Sequence, residues 1–213
     1  MSPRVIRMST KTKGLTPTPI RNLALPINKL VWGLTKRQIR SKILLKLKTQ
    51  KEEERNRKSR VIKDKLFRTK IFQKAQRVMF YISFDGEVDT QKMIKEAQKL
   101  GKIIAVPVCS KNRIIIRPCI LHGRVKLKKG PYGICEPAVK KSIAPKDLDL
   151  VVVPGVAFDK KGNRLGRGKG CYDRFLKKLN SNIASIGLAF DFQILPTIPA
   201  SSTDVRVNKV ILA

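Results

Sequence analysis

The sequence predicts an α/β fold, a mostly parallel sheet flanked by helices in a Rossmann-like three-layer arrangement, built as a single domain. Three observations lead there. The runs "RVMFYIS" (77–83), "KIIAVPV" (102–108) and "LDLVVVPG" (148–155) have the length and branched apolar content of buried strands. Between the first two, Met93, Ile94 and Ala97 recur at helical spacing, so the chain runs strand, helix, strand, as a parallel crossover does. A chain of 213 residues with 42% hydrophobic content can bury one core but not two independent ones.

Taken in order, residues 1–33 are rich in Pro, Thr, Lys and Arg, and no carboxylate precedes Glu52. They read as a basic leader, either a disordered tail or an organelle-targeting peptide, and the folded domain is expected over 34–213. Two helices are expected from Leu34 to about Phe72. Ile39, Ile43, Leu44 and Leu47 form the stripe of the first, and Val61, Ile62, Leu66 and Ile71 that of the second, with Thr49-Gln50-Lys51-Glu52 as a capping box between them. "FDGEVDT" (84–90) is a turn carrying three acids, and Thr90 to Leu100 is a helix. "NRIIIRPC" (112–119) reads as an edge strand, because Pro118 lacks the donor a sheet interior requires. "KKGPYGICEPAVKKS" (128–142) is irregular. "LDLVVVPG", the most apolar run, is the expected central strand, ending at Pro154-Gly155 where the glycine-rich segment begins. A helix from Gly170 to about Leu179 follows, and then the strands "ASIGLAF" (184–190) and "VRVNKVILA" (205–213).

Lys and Arg number 47 against 15 Asp and Glu, a net charge of +32 that attracts phosphates, nucleic acid and acidic small molecules. The cations are spread along the whole chain, which makes non-specific polyanion binding expected and a specific nucleic-acid partner not expected. A basic nucleic-acid-binding protein that keeps the fold without an activity stays open as the alternative. Aromatic residues, at 6%, are too few for the stacking platforms of single-strand binders. Cys109, Cys119, Cys135 and Cys171 contain no C-x-x-C pair, and His122 is the single histidine, so no zinc cluster can be assembled. Scattered thiols suit a reducing, cytoplasmic setting, or an organelle if the leader is a targeting peptide. No apolar run approaches the roughly 20 residues that cross a bilayer, so no membrane partner is expected. A monomer is expected.

"GNRLGRGKGCYDRFL" (162–176) alternates Gly166, Gly168 and Gly170 with Arg167 and Lys169, and then passes into a helical pattern. Neither a Walker A loop nor a dinucleotide fingerprint can be laid on it. Glycines let backbone N–H groups approach an anion, a following helix adds its unpaired N–H groups, and Arg164, Arg167 and Lys169 can neutralise phosphate. On pattern alone the segment is equally a tight exposed hairpin. Asp173 likewise has two readings, a helix-start ion-pair partner or a ligand of Mg²⁺, which takes one or two carboxylates and fills its shell with water and phosphate.

The stretch "VVVPGVAFDKKGNRLGRGKGCYDRFL" is similar to the signature of the 5-formyltetrahydrofolate cyclo-ligases, also called methenyltetrahydrofolate synthetases. The likeness continues in "KRQIR" (36–40), "YISFDGEVDT" (81–90), "GICEP" (133–137) and Asp204, and covers the chain from about Leu34 to its end. The resemblance implies an ATP- and Mg²⁺-dependent ligase that closes 5-formyltetrahydrofolate to 5,10-methenyltetrahydrofolate. It implies ATP contacts at Lys36, Arg40, Arg164, Leu165, Gly166, Arg167, Gly168, Lys169, Gly170, Cys171 and Tyr172. Substrate contacts are implied at Ile82, Glu87, Arg167, Gly168, Lys169, Gly170 and Cys171, with Glu87 on the pterin. Asp173 and Asp204 match the metal positions, and Arg164, Lys169 and Asp173 are the implied catalytic residues. The sequence departs from the family at Cys171, where the first of two tyrosines commonly stands, and between Val108 and Gly130.

Overall fold

A computed structural model of the chain describes residues 33–109, 115–121, 127–129, 135–137 and 141–213, of which 127–129 and 135–137 by backbone alone. The leader, except Gly33, and His122 lie outside the described residues.

The elements run α1 (Lys36–Thr49), α2 (Glu52–Phe67), α3 (Lys70–Lys74), β1 (Arg77–Met79), α4 (Gln91–Lys99), β2 (Ile103–Cys109) and β3 (Ile116–Ile120). Next come β4 (Leu127–Lys129), β5 (Cys135–Pro137), β6 (Lys141–Ser142), β7 (Leu150–Val153), β8 (Ala157–Asp159) and β9 (Arg164–Leu165). The chain ends with α5 (Cys171–Leu176), β10 (Ala184–Ala189), β11 (Ile194–Leu195) and β12 (Lys209–Leu212). The main sheet has the order β12-β10-β7-β1-β2-β3-β6. Its strands are parallel from β12 to β2 and antiparallel where β3 joins β2 and β6 joins β3. The three-layer α/β expectation therefore holds.

The alternation of a pleated strand divides the core in two. Leu150 and Val152 of β7 face a cluster with Ile39, Ile43 and Leu47 of α1, Ile62 and Leu66 of α2, and Met93 and Ile94 of α4. Val151 and Val153 face the opposite side, where Phe175 and Leu176 of α5 and Ile183 cover the sheet. All four β7 residues are buried because both faces are covered. Among the described residues no helix is long and apolar enough to cross a membrane.

Several local expectations are corrected. The capping box belongs to the start of α1, where the Thr35 side chain accepts from Gln38 N–H and Gln38 answers to the Thr35 backbone. Thr49 is instead the last residue of α1, its hydroxyl spent on the Leu45 carbonyl, and α2 begins on Lys51 without a side-chain cap but with Glu52, Glu53 and Glu54 against its dipole. The helical stretch also breaks once more, at Thr69, whose side chain caps the short α3. The central strand is β1, with β7 beside it. β3 is not an edge strand, because two residues of β6 pair outside it. Pro118 is tolerated there because it faces Pro107 of β2, a pair with no N–H on either side, and turns its carbonyl to Ile143 N–H. The stretch 128–142 is not wholly irregular either, since β4 and β5 form a small antiparallel pair.

One more correction bears on the site. The glycine-rich loop does not follow β7 directly: β8 and β9 form an antiparallel hairpin between them, turned by Asp159, whose carboxylate accepts Lys161 N–H, Asn163 N–H and the Asn163 side chain. The segment thus divides, with a hairpin up to Leu165 and a glycine-rich loop over 166–170. The helix after it is shorter than expected, with Gly170 as a left-handed N-cap (φ 62°) and its last residue at Leu176.

Candidate active site

The carboxyl ends of the parallel strands, the glycine-rich loop, the start of α1 and the turn 201–204 enclose one cavity of about 1000 Å³. It is lined by Lys36, Arg40, Ile82, Glu87, Asp173, Asp204 and every residue from Arg164 to Tyr172, so all the residues singled out in the sequence meet there. This is the position a parallel sheet reserves for ligands, beyond its strands' carboxyl ends.

Helix α1 supplies two cations. Its capped first turn and its buried stripe fix the axis, and the i, i+4 spacing sets Lys36 and Arg40 on one face. Lys36 Nζ lies 2.5 Å from Asp204 Oδ2, and Arg40 Nε donates to the Gly166 carbonyl at 2.9 Å. Arg40 thereby props the loop. Gly168 takes φ 108°, a conformation that side-chain-bearing residues avoid.

Arg164 projects from β9 into the wall, with its side chain 3% exposed. Its NH1 donates to the Pro154 carbonyl at 3.2 Å and its NH2 to Asp173 Oδ1 at 2.9 Å. Among the described residues, only two buried side-chain polar atoms lack a partner, Arg164 Nε and the Tyr172 hydroxyl, and both residues line this cavity. Burial pushes the Tyr172 phenol well above its ordinary range, so it is present as a neutral donor. Two orphaned donors in one wall suit an acceptor-rich ligand.

The two aspartates are neighbours. Asp173 Oδ1 accepts Val205 N–H at 3.2 Å, and Val205 follows Asp204 in the chain. Asp204 Oδ2 accepts Lys36, Ser201 N–H at 2.7 Å and the Ser201 hydroxyl at 3.0 Å. Burial would raise the Asp204 carboxyl, but the bonds from Lys36 and Ser201 outweigh it and hold it below its ordinary value. Asp173 Oδ2 and Asp204 Oδ1 receive no hydrogen bond among the described residues. A pair of carboxylates each presenting one uncommitted oxygen fits a hard ion such as Mg²⁺, which needs few protein ligands. Among the described residues no three His, Cys, Asp or Glu gather as a metal cage.

The lining also includes Ile82, 6% exposed, and Glu87. Burial lifts the Glu87 carboxyl to about 7, against the pull of Arg167, whose NH2 lies 3.2 Å from Glu87 Oε1. Lys169 is exposed at the loop and lines the cavity, as does Cys171. Sequence reasoning missed Phe84, Asp85, Arg174, Lys177 and Ser201. Ser201 had a signal: Ser-Ser-Thr-Asp is turn chemistry, and the aspartate closing that turn was already singled out.

A family model described as the 5-formyltetrahydrofolate cyclo-ligase family matches residues 33–213. The chain is 33% identical over 187 residues to a 5-formyltetrahydrofolate cyclo-ligase of Mus musculus, covering 83% of this chain and 92% of the relative. It is 33% identical over 144 residues to the Haemophilus influenzae protein of the same name, covering 65% and 76%. Its fold superposes on the NMR structure of Aquifex aeolicus 5,10-methenyltetrahydrofolate synthetase with a TM-score of 0.75 at 35% identity, covering 84% of this chain and 90% of that one. A 5,10-methenyltetrahydrofolate synthetase from Mycoplasma pneumoniae gives 0.69 at 25% identity, covering 84% and 98%.

Proposed function

This chain belongs to the 5-formyltetrahydrofolate cyclo-ligase family, and on that premise we propose that it closes 5-formyltetrahydrofolate to 5,10-methenyltetrahydrofolate with ATP as co-substrate and Mg²⁺ as metal, releasing ADP and phosphate. The observation that carries the reading is the single cavity in which seven cations and three carboxylates face one another. In this reaction the formyl oxygen takes the γ-phosphoryl group, N10 closes on the activated carbon, and phosphate departs. Such chemistry asks the protein for positioning and for charge neutralisation.

The residues divide accordingly. Lys36, Arg40, Arg164 and Lys169 neutralise phosphate oxygens, and the backbone of Gly166, Gly168 and Gly170 lets them come close. Arg164 Nε and the Tyr172 hydroxyl are the donors with capacity to spare, and they serve the transferring group. Asp173 and Asp204 would hold Mg²⁺, which would neutralise charge on the phosphates. Glu87 takes the guanidine-like edge of the pterin by paired hydrogen bonds, and Ile82 packs on its face. Burial keeps this edge dry, which strengthens each bond. Residues 1–33 are read as a leader outside the catalytic domain.

The test is direct. Purified protein, ATP, Mg²⁺ and 5-formyltetrahydrofolate give the absorbance of the methenyl product, and its absence at every magnesium concentration rules the reading out.

A further inference from the structure

Arg167 reaches from the glycine-rich loop to the turn between β1 and α4. Its guanidinium stacks on Phe84, with Cζ 4.2 Å from the ring centre, while NH1 lies 3.2 Å from Asp85 Oδ2 and NH2 3.2 Å from Glu87 Oε1. The turn that receives it is built with care. Asp85 has φ 53° and is the single non-glycine residue in the left-handed region among the described residues; Gly86 follows at φ 81°. A Cβ on Gly86 would run into the Leu47 carbonyl, and Gln50 Nε2 donates to the Gly86 carbonyl at 2.7 Å and to that of Leu47 at 2.9 Å. The turn is thus clamped to the end of α1 and holds at its tip an aspartate in the left-handed region, which Asp and Asn visit more readily than other side-chain-bearing residues.

Both Glu87 oxygens are occupied, Oε1 by Arg167 and Oε2 by Phe84 N–H at 3.4 Å. A pterin edge that takes Glu87 by paired bonds therefore competes with Arg167 for Oε1. We propose that Asp85 is a positioning residue: it is the second seat that keeps Arg167, and with it the glycine-rich loop, strapped across the cavity over Phe84 once the substrate has taken Glu87. The inference rests on the cyclo-ligase reading and adds to it a residue that acts through Arg167.

Asp85→Asn separates charge from shape, because asparagine tolerates the left-handed conformation and fills the same volume. Titration calorimetry without ATP should show 5-formyltetrahydrofolate binding weakened about tenfold, the scale of one lost charge-assisted bond, with affinity for a non-hydrolysable ATP analogue and the melting temperature unchanged. Hydrogen exchange at amides 166–170 of the folate complex should quicken. Asp85→Gly, which suits the same backbone, should reproduce both effects. Unchanged folate affinity in either variant, or equal weakening of folate and nucleotide, overturns the strap. A wild-type protein that binds the nucleotide but no folate overturns the cyclo-ligase reading itself and the strap with it.

Discussion

Arg164 and Asp173 form a buried ion pair at 2.9 Å, the arginine side chain 3% exposed and the aspartate 16%. The pair joins two things that the sequence kept apart, a strand of the β8–β9 hairpin and the first turn of α5. It also gives Asp173 a part in stability besides the metal role proposed for it. Removing one partner of such a pair leaves a charge buried without compensation, which costs far more than the pair itself contributes.

Asp173→Asn is therefore expected to lower stability by roughly 3 kcal/mol, read from urea unfolding, in addition to cutting kcat at least about a hundredfold. A variant that loses activity with an unchanged unfolding midpoint would show that Arg164 finds another anion. One that loses stability and keeps full turnover would remove Asp173 from the reaction.

The layers and the sheet were legible because apolar runs and helical stripes report burial, and burial is what the fold satisfies. β7 reads as buried on both faces, and it is. What the runs do not report is rank within the sheet: β1 contributes only three residues and is nonetheless central, since centrality comes from crossover order. The glycine-rich loop stood out in composition, whereas the place of the β8–β9 hairpin, ahead of the loop and not within it, was not legible. Long-range pairs such as Arg167 with Asp85, 82 residues apart, leave no local trace at all.

Lys36 sits on Asp204 where a metal ion would compete for the same carboxylate. Replacing it by Met should tighten Mn²⁺ binding in the absence of nucleotide, by about twofold to fivefold, because a partly exposed ion pair is worth about 0.5–1 kcal/mol. The same change should raise the KM for ATP. Mn²⁺ affinity measured by electron paramagnetic resonance of the free ion decides the point, and unchanged or weaker binding would mean that Lys36 does not guard the site.

Glu87 gives the protein a pH signature. Its folded-state carboxyl lies at about 7, raised by burial above the ordinary 4.5, so the ionised form is disfavoured in the fold. The contribution to stability is fully present below about 4.5 and is lost as pH rises through about 7, a difference of roughly 3 kcal/mol. Denaturant unfolding at pH 5 and pH 8 should therefore show the wild type losing ground relative to Glu87→Gln as pH rises. Folate binding runs the other way, strengthening as the carboxylate ionises near pH 7. A stability gap between the two proteins that does not change with pH would contradict the burial of this group.

The N-cap of α1 connects local structure to catalysis. Thr35 and Gln38 satisfy each other's backbone N–H groups, and the turn they fix carries Lys36 and Arg40. Thr35→Ala removes the side-chain acceptor and should cost about 1 kcal/mol of stability. The chemistry lies elsewhere, so kcat is expected to hold at saturating nucleotide. The frayed first turn should let Lys36 leave Asp204 and Arg40 leave the Gly166 carbonyl, raising the KM for ATP by a few fold while the KM for folate stays put. Thr35→Ser, which keeps the acceptor, should restore the wild-type value. Steady-state kinetics on the three proteins separates this from a general loosening, which would raise both constants and would not be rescued by serine.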